Sequence, residues 1–308
     1  LVERIGTGGV GTVYRAYQAR LERDVAIKVM PNSHLDEEDQ LKRFRREAKT
    51  IAKLQHPHII PIYDFGVEPG ISYIVMPLLA GGSLQDWVSD AGRSLPSLGR
   101  VAELLRAIGS ALDWAHKIGI VHRDIKPSNI LFDEGGNPYL VDFGIAKVGF
   151  ATTKLTETGT TMGTPTYMAP EQWAAMEASA STDQYAVGII AYLLTTGRLP
   201  FQAKGLLHLM NMHMKDFPTP PHDIRQGLPS DLGDVLNVAL AKHPDDRFPS
   251  VTAFAKTFEY VVREGSLQMS GHAEKMAVGD EVNTLMFDAA DLSMMHEDTI
   301  TEMSDFGE

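Results

Sequence analysis

The hydrophobic period of this chain changes once, and that change constrains its fold more than any other feature. Over the first 30 residues apolar runs alternate with turns: strand, glycine turn, strand, turn, strand, with Val25 to Met30 as a short buried-type run. Ile59 to Phe65 and Ser72 to Met76 are predicted as two further strands. Between them, four acids (Asp36 to Asp39) precede Leu41, Phe44, Ala48, Ile51 and Leu54 at helical spacing. Acids first and bases later suit the helix macrodipole. From Ser83 onward the period is helical, and Val101, Leu104, Leu105, Ile108, Leu112 and Ala115 mark a long amphipathic helix. Two short strands around the turn Asp133-Glu134-Gly135-Gly136-Asn137 and a Thr-rich loop from Thr152 to Thr166 interrupt it, and helices then run to about Arg263. A β-rich third ahead of a helical remainder predicts an α+β chain of two lobes with a cleft between them.

Charge divides the chain differently. The net charge of −12 over 308 residues is concentrated: residues 264–308 hold 11 acids and one base (Lys275), with six of the 14 methionines. Residues 1–263 hold 29 acids and 27 bases, close to neutral. The last segment is therefore predicted to be an acidic, disordered tail. Nothing favours nucleic acid as a partner. No run reaches the ~18 apolar residues that span a bilayer. The absence of cysteine excludes disulfides, thiol nucleophiles and thiolate metal sites. The chain begins with Leu1 inside a patterned segment, so a fragment with an incomplete first strand is expected. A cytoplasmic location, or the cytoplasmic part of a membrane-anchored protein, is the matching expectation.

Three segments carry chemistry. The first is Gly6-Thr7-Gly8-Gly9-Val10-Gly11. In dinucleotide folds such a run opens a helix, but here Thr12, Val13 and Tyr14 continue as a strand. Glycines between strands let backbone N–H groups approach phosphate, although a plain hairpin explains this segment alone equally well. The second is Lys28, at the end of Val25-Ala26-Ile27, with Glu47 on the inward face of the following helix as its acidic partner. The third places His122, Arg123, Asp124, Lys126 and Asn129 within eight positions, followed by Asp142-Phe143-Gly144. Asp124, Asn129 and Asp142 offer hard oxygen ligands, which suit Mg²⁺ shared with phosphates better than zinc.

Taken in order, GTGGVG, VAIK, the helix Glu47, HRDIKPSN, DFG and MAPE resemble the signature set of eukaryotic-like (Hanks-type) serine/threonine protein kinases, and most closely the bacterial members. The resemblance covers about residues 1–263. It implies a two-lobed kinase fold, with the N-lobe and hinge in 1–79, the C-lobe in 80–263 and the tail after it. It implies ATP as phosphate donor, Mg²⁺ as metal with Mn²⁺ as the alternative, and protein substrates. By resemblance Asp124 is the catalytic base, Lys126 contacts the transferred phosphate, and Asn129 and Asp142 hold the metal. Lys28, paired with Glu47, contacts the α- and β-phosphates, and Gly6, Gly8 and Gly11 form the loop over them. Ile5, Val13, Ala26 and Leu131 wall the adenine, Met76 is the gatekeeper, and Pro77-Leu78-Leu79 form the hinge. Pro77 departs from the acidic residue usual in the family; the contacts expected of the hinge are the Pro77 carbonyl and the Leu79 N–H.

The same resemblance makes Asp142 to Glu171 an activation segment. It implies autophosphorylation at Thr156, Thr158 or Thr160, with Arg123 and Lys147 as phosphate-pairing bases, and Thr164 on the substrate platform. Glu171 with Arg247 is an expected structural ion pair, Asp183 an expected brace of the catalytic turn, and Ile51, His122 and Phe143 an expected apolar stack. Two other readings stay open at this level: an ATP-binding scaffold, and a kinase of small molecules. The tail, with Thr284, Ser293, Thr299, Thr301 and Ser304 among acids and methionines, reads as a solvated linker or as a docking or autophosphorylation segment for a phosphothreonine-binding partner.

Overall fold

The computed structural model describes residues 1–8, 11–31, 38–90, 94–143 and 165–265, with the side chains at 38–40 and 43 excepted. Five antiparallel strands open the chain: β1 (Glu3–Gly8), β2 (Gly11–Gln18), β3 (Arg23–Pro31), β4 (Asp64–Glu68) and β5 (Ile71–Pro77), in the order β1-β2-β3-β5-β4. The pleat sorts their side chains. Ala26 opposite Met76, with Ile74 and Met30, faces Phe44 of α1 (Glu38–Ile51), whereas Ala16, Val25 and Val75 pack on the other face. Arg45, Arg46 and Lys49 are exposed on the outer side of α1, as the helical spacing requires.

The strand expected at Ile59 to Phe65 is displaced, since β4 begins only at Asp64. Ile59 and Ile60, at the start of the expected strand, pair elsewhere. Ile59 forms a parallel bridge with Leu140, and Ile60 N–H donates to the Leu140 carbonyl at 3.0 Å. The apolar run is real, and Ile59 and Ile60 are both buried. At Ile60 the pairing goes to a hairpin far along the chain, and only from Tyr63, whose N–H donates to the Val75 carbonyl at 2.8 Å, does the run join the five-stranded sheet.

The rest is helical: α2 (Leu84–Ser89), α3 (Leu98–Lys117), α4 (Pro170–Trp173), α5 (Ala180–Thr196), α6 (Leu206–Lys215), α7 (Pro221–Ile224), α8 (Leu232–Ala239) and α9 (Val251–Glu264), with the hairpin β6 (Ile130–Phe132) and β7 (Pro138–Leu140) after α3. Local chemistry sets the ends. Ser83 and Asp86 form a reciprocal capping box at α2, and Ser97 and Ser250 cap α3 and α9. The Asp113 carboxylate of α3 accepts the N–H groups of Val251 (3.1 Å) and Thr252 (2.9 Å), so one helix anchors the start of another. Nearly every residue of α5 is buried, including Tyr185 and Tyr192, which makes it the axis of the larger core. Gly81 joins the strands to the helices at a close approach: a Cβ there would lie 2.3 Å from the Asp133 carbonyl oxygen. Among the described residues no helix is long and apolar enough to cross a membrane.

Candidate active site

The site is assembled from the turn after α3, the β6–β7 hairpin and strand β3. Arg123 and Asp142 both have left-handed backbone, at φ 66° and 63°, which costs a non-glycine residue about a kcal/mol or more. The first of these conformations has a visible brace. Buried Asp183 of α5 accepts the N–H of His122 through Oδ2 and the N–H of Arg123 through Oδ1, both at 2.8 Å. The same Oδ2 lies 2.8 Å from His116 Nε2. The expected brace is therefore formed, with a third member, His116, that the sequence reading did not single out. Its signal was available: His116 lies in the last turn of α3, next to the buried Ala115.

The turn holds the reactive groups close together. Asp124 Oδ2 lies 3.0 Å from Lys126 Nζ. Asn129 Nδ2 donates to the Asp124 carbonyl at 2.8 Å and to Oδ2 at 3.3 Å. With its amide nitrogen engaged there, Asn129 keeps its amide oxygen for a cation. Lys28 Nζ lies 2.7 Å from Asp142 Oδ1. Lys28 thus meets Asp142, a partner that the expected Lys28–Glu47 pairing did not include. Glu47 is half-buried on α1. Two residues 114 positions apart in sequence thus meet at one point.

His122 is fully buried and packed 4.6 Å from the Phe143 ring, centroid to centroid. Its Nδ1 accepts the Asp124 N–H (3.3 Å) and its Nε2 meets the Val141 carbonyl (2.9 Å), so one neutral tautomer satisfies both. It is a packing and hydrogen-bonding residue, as expected. Ile51 and Phe143 belong to the same buried core.

Above the turn, Ala26 and Met76 are buried in one apolar cluster with Val13, Leu79 and Leu131 packed against it. Ile5 is 45% exposed and stands outside that cluster. Pro77 ends β5 opposite Val25, so its missing N–H falls at the strand end. Gly11 has a steric reason of its own: a Cβ there would lie 2.4 Å from the Val29 carbonyl oxygen, whereas Gly6 and Gly8 meet nothing closer than 3.8 Å. Thr156, Thr158, Thr160 and Thr164, with Lys147 and the 266–308 segment, lie outside the described residues.

Below the turn, Arg247 uses every donor it has. Its two terminal nitrogens bind both Glu171 oxygens (2.8 and 2.9 Å), and its other N–H groups reach the carbonyls of Ser181 (2.8 Å), Ala241 (2.9 Å) and Lys242 (3.2 Å). Burial pushes the Glu171 carboxyl up, but the Arg247 hydrogen bonds and charge outweigh it and hold the group below its usual value. Gln172 next door donates to the Arg123 carbonyl at 3.2 Å, tying α4 to the catalytic turn.

Two oxygen donors, Asn129 and Asp142, fit a hard cation that completes its shell from phosphate and water. Among the described residues no group of three His, Cys, Asp or Glu forms a protein-only cage.

The chain is similar to known proteins in sequence and fold. Residues 1–258 match the family model described as protein kinase domain. The chain is 39% identical over 269 residues to serine/threonine-protein kinase Pkn1 of Myxococcus xanthus, covering 86% of this chain and 38% of that protein. It is 41% identical over 246 residues to PknE of Mycobacterium bovis (79% and 42%), and 38% identical over 256 residues to PknA of Mycobacterium tuberculosis (82% and 58%). It therefore spans less than two thirds of the length of these relatives. Among solved structures, the Mycobacterium tuberculosis PknI kinase domain aligns with a TM-score of 0.66 at 28% identity, over 86% of this chain and 94% of that one. The chain belongs to the protein kinase family, as a serine/threonine kinase domain of bacterial type.

Proposed function

We propose that this domain transfers the γ-phosphate of ATP to serine and threonine hydroxyls with the residues of the turn between α3 and β6. The observation that carries this reading is the convergence of Asp124, Lys126 and Asn129, held by Asp183, beside the Lys28–Asp142 pair. Asp124 receives the hydroxyl proton, and Lys126, 3.0 Å away, keeps that carboxylate oriented and offers its charge to the phosphate in transit. Lys28 holds the α- and β-phosphates, with Glu47 as its partner once Asp142 is engaged elsewhere. Asn129 and Asp142 hold the metal, for which Mg²⁺ is the proposed ion and Mn²⁺ the alternative. When bound, the metal neutralises charge on the phosphates. Val13, Ala26, Met76 and Leu131 wall the adenine with Ile5 at the rim, and the Pro77 carbonyl and Leu79 N–H bind its edge. Gly6, Gly8 and Gly11 cover the phosphates.

Autophosphorylation at Thr156, Thr158 or Thr160, docking of substrate against Thr164, a cytoplasmic location and a phosphothreonine-binding partner for the tail are parts of the same proposal. They rest on sequence resemblance. The deciding experiment supplies ATP, Mg²⁺ and a generic protein substrate, with Asp124→Asn as control. Loss of a general base of this kind lowers the rate roughly 10²–10⁴-fold, while ATP binding persists. Equal transfer by both proteins would overturn the assignment of Asp124. ATP binding with no transfer by the unaltered protein would favour a scaffold. Phosphopeptide mapping of the incubated chain then locates the threonines.

A further inference from the structure

A large cavity among the described residues lies apart from the nucleotide cleft. It has a volume of about 690 Å³ and lies between α2, the first half of α3 and the β6–β7 hairpin. None of the residues given a catalytic or nucleotide role lines it. Its apolar wall is Leu84, Trp87, Val101, Leu104, Phe132 and Leu194. Leu84, Val101 and Leu194 are buried, so the cavity reaches the larger core, whereas Trp87 and Phe132 are half-buried. Its volume falls within the roughly 300–1,000 Å³ of sites that take small molecules.

The charge at its edge decides what kind of molecule. Asp86, Glu103, Asp133 and Glu134 stand against Arg100 and Arg106, four carboxylates to two guanidiniums, a net of −2. Arg100 and Glu103 pair with each other at 2.9 Å. Asp86 and Asp133 are held by neutral donors instead. The Ser83 N–H (2.9 Å) and hydroxyl (2.7 Å) bind Asp86, and the Asn137 N–H (2.8 Å) and side-chain amide (2.9 Å) bind Asp133. Those hydrogen bonds hold both carboxyls below their usual values and leave the negative charge uncancelled. Both acids stand beside one glycine pair: a Cβ on Gly82 would lie 3.5 Å from Asp86 Oδ2, and one on Gly81 would press on the Asp133 carbonyl. The main chain of this wall is already engaged. Gly81 N–H donates to the Phe132 carbonyl (2.9 Å), Phe132 N–H to the Gly82 carbonyl (2.9 Å) and Asp133 N–H to the Asn137 carbonyl (3.1 Å). An extended peptide therefore meets no sheet edge there to pair with, whereas a compact apolar body with one positive head needs none.

We propose that this cavity is a binding site for a small organic cation, its aromatic or alkyl body against Trp87, Leu104 and Phe132 and its ammonium head toward Asp86 and Asp133. The indole of Trp87 adds the attraction of an aromatic face for a cation. Occupancy also bears on the neighbouring cleft. Successive side chains of a strand point to opposite faces. Phe132 of β6 lines the cavity, and Leu131 before it packs against the cluster of Ala26 and Met76. The cation and the adenine thus press on two sides of one strand. This coupling rests on the nucleotide reading of that cluster; the cation site itself does not.

Calorimetric titration of the full chain with phenylbutylammonium, phenylbutanol and phenylbutyrate, which share one body and differ in head charge, tests the site. The cation should saturate one site and bind about tenfold more tightly than the alcohol, and that margin should shrink as ionic strength rises. The carboxylate should bind more weakly than the alcohol. Asp86→Asn with Asp133→Asn keeps the hydrogen-bond acceptors, and should remove the margin while alcohol binding persists. Ala107→Trp, at a half-buried position of the wall, should abolish binding of both. No saturable binding of the cation, equal affinities for the three heads, or undiminished cation binding in Ala107→Trp would overturn the proposal. Saturating cation should shift the affinity for a non-hydrolysable ATP analogue several-fold, and the analogue should shift that for the cation by the same factor. Unchanged affinities would overturn the coupling. An analogue that does not bind at all would count against the nucleotide reading, while the cation titration decides the cavity by itself.

Discussion

Replacing Arg247 by Met should be among the most damaging single changes outside the catalytic turn. The side chains of Arg247 and Glu171 are 0% and 3% exposed, and five N–H groups of the guanidinium meet five acceptors. Met keeps most of the volume but leaves the Glu171 carboxylate with Thr182 as its side-chain donor (2.8 Å), and leaves three carbonyls short of a partner. Breaking one side of a buried ion pair costs about 3–5 kcal/mol. Arg247→Lys retains the charge and loses the fork, and should cost about 2 kcal/mol, since a compact ammonium cannot reach five acceptors. The double variant Arg247→Met with Glu171→Gln removes the orphaned charge, so it should be less destabilised than the sum of its parts by about 1 kcal/mol or more. Urea unfolding followed by circular dichroism and by the fluorescence of Trp87, Trp114 and Trp173 measures all three. The pair also has a pH signature. The folded Glu171 value lies below its unfolded value, so its contribution is present above the unfolded value and is lost as pH falls through the folded one. Arg247→Met should flatten that acid limb. A cost below about 1 kcal/mol for Arg247→Met, or an unchanged acid limb, would refute the reasoning.

Other changes test other parts. Asp183→Ala removes the acceptor of two backbone N–H groups at a left-handed residue, so kcat should fall roughly 10²-fold or more, with a smaller effect on the KM for ATP. Steady-state kinetics separates the two. Pro77→Glu restores an N–H at the end of β5, and the affinity of hinge-binding inhibitors should change while transfer persists; identical affinities in both proteins would refute a hinge role for this position. Burial, aided by Lys242, pushes buried His213 down to about 4. Its depressed folded value means that stability is fully present above about 6.5, the ordinary histidine value, and declines toward pH 4. His213→Phe should reduce the loss of urea midpoint between those two pH values. Gly81→Ala drives a Cβ into the Asp133 carbonyl and should lower the thermal midpoint by several degrees.

Much of the fold was legible because its signals are local. Ser83, Ser97 and Ser250 announce helices by capping chemistry that acts within four residues, and the period of β3 and β5 states which face is buried. The strand at Ile59 was misplaced because an apolar run declares burial but not its partner, and its partner, Leu140, lies some 80 positions away. The family resemblance gave the Glu171–Arg247 pair and the Asp183 brace, and the structure forms both. His116 escaped notice because a histidine on an otherwise apolar helix face looks like any core histidine until Asp183 is brought beside it.

The sequence by itself determined the order of elements, the reactive residue types and the sharp division of charge at about residue 264. Those follow from composition and short-range geometry. Only the tertiary structure decided which charges meet. Lys28 meets Asp142 at 2.7 Å, a pairing that the sequence pattern did not announce. Periodicity fixes the face of a helix but not its distance from a strand, and ion pairing depends on distances that only packing sets.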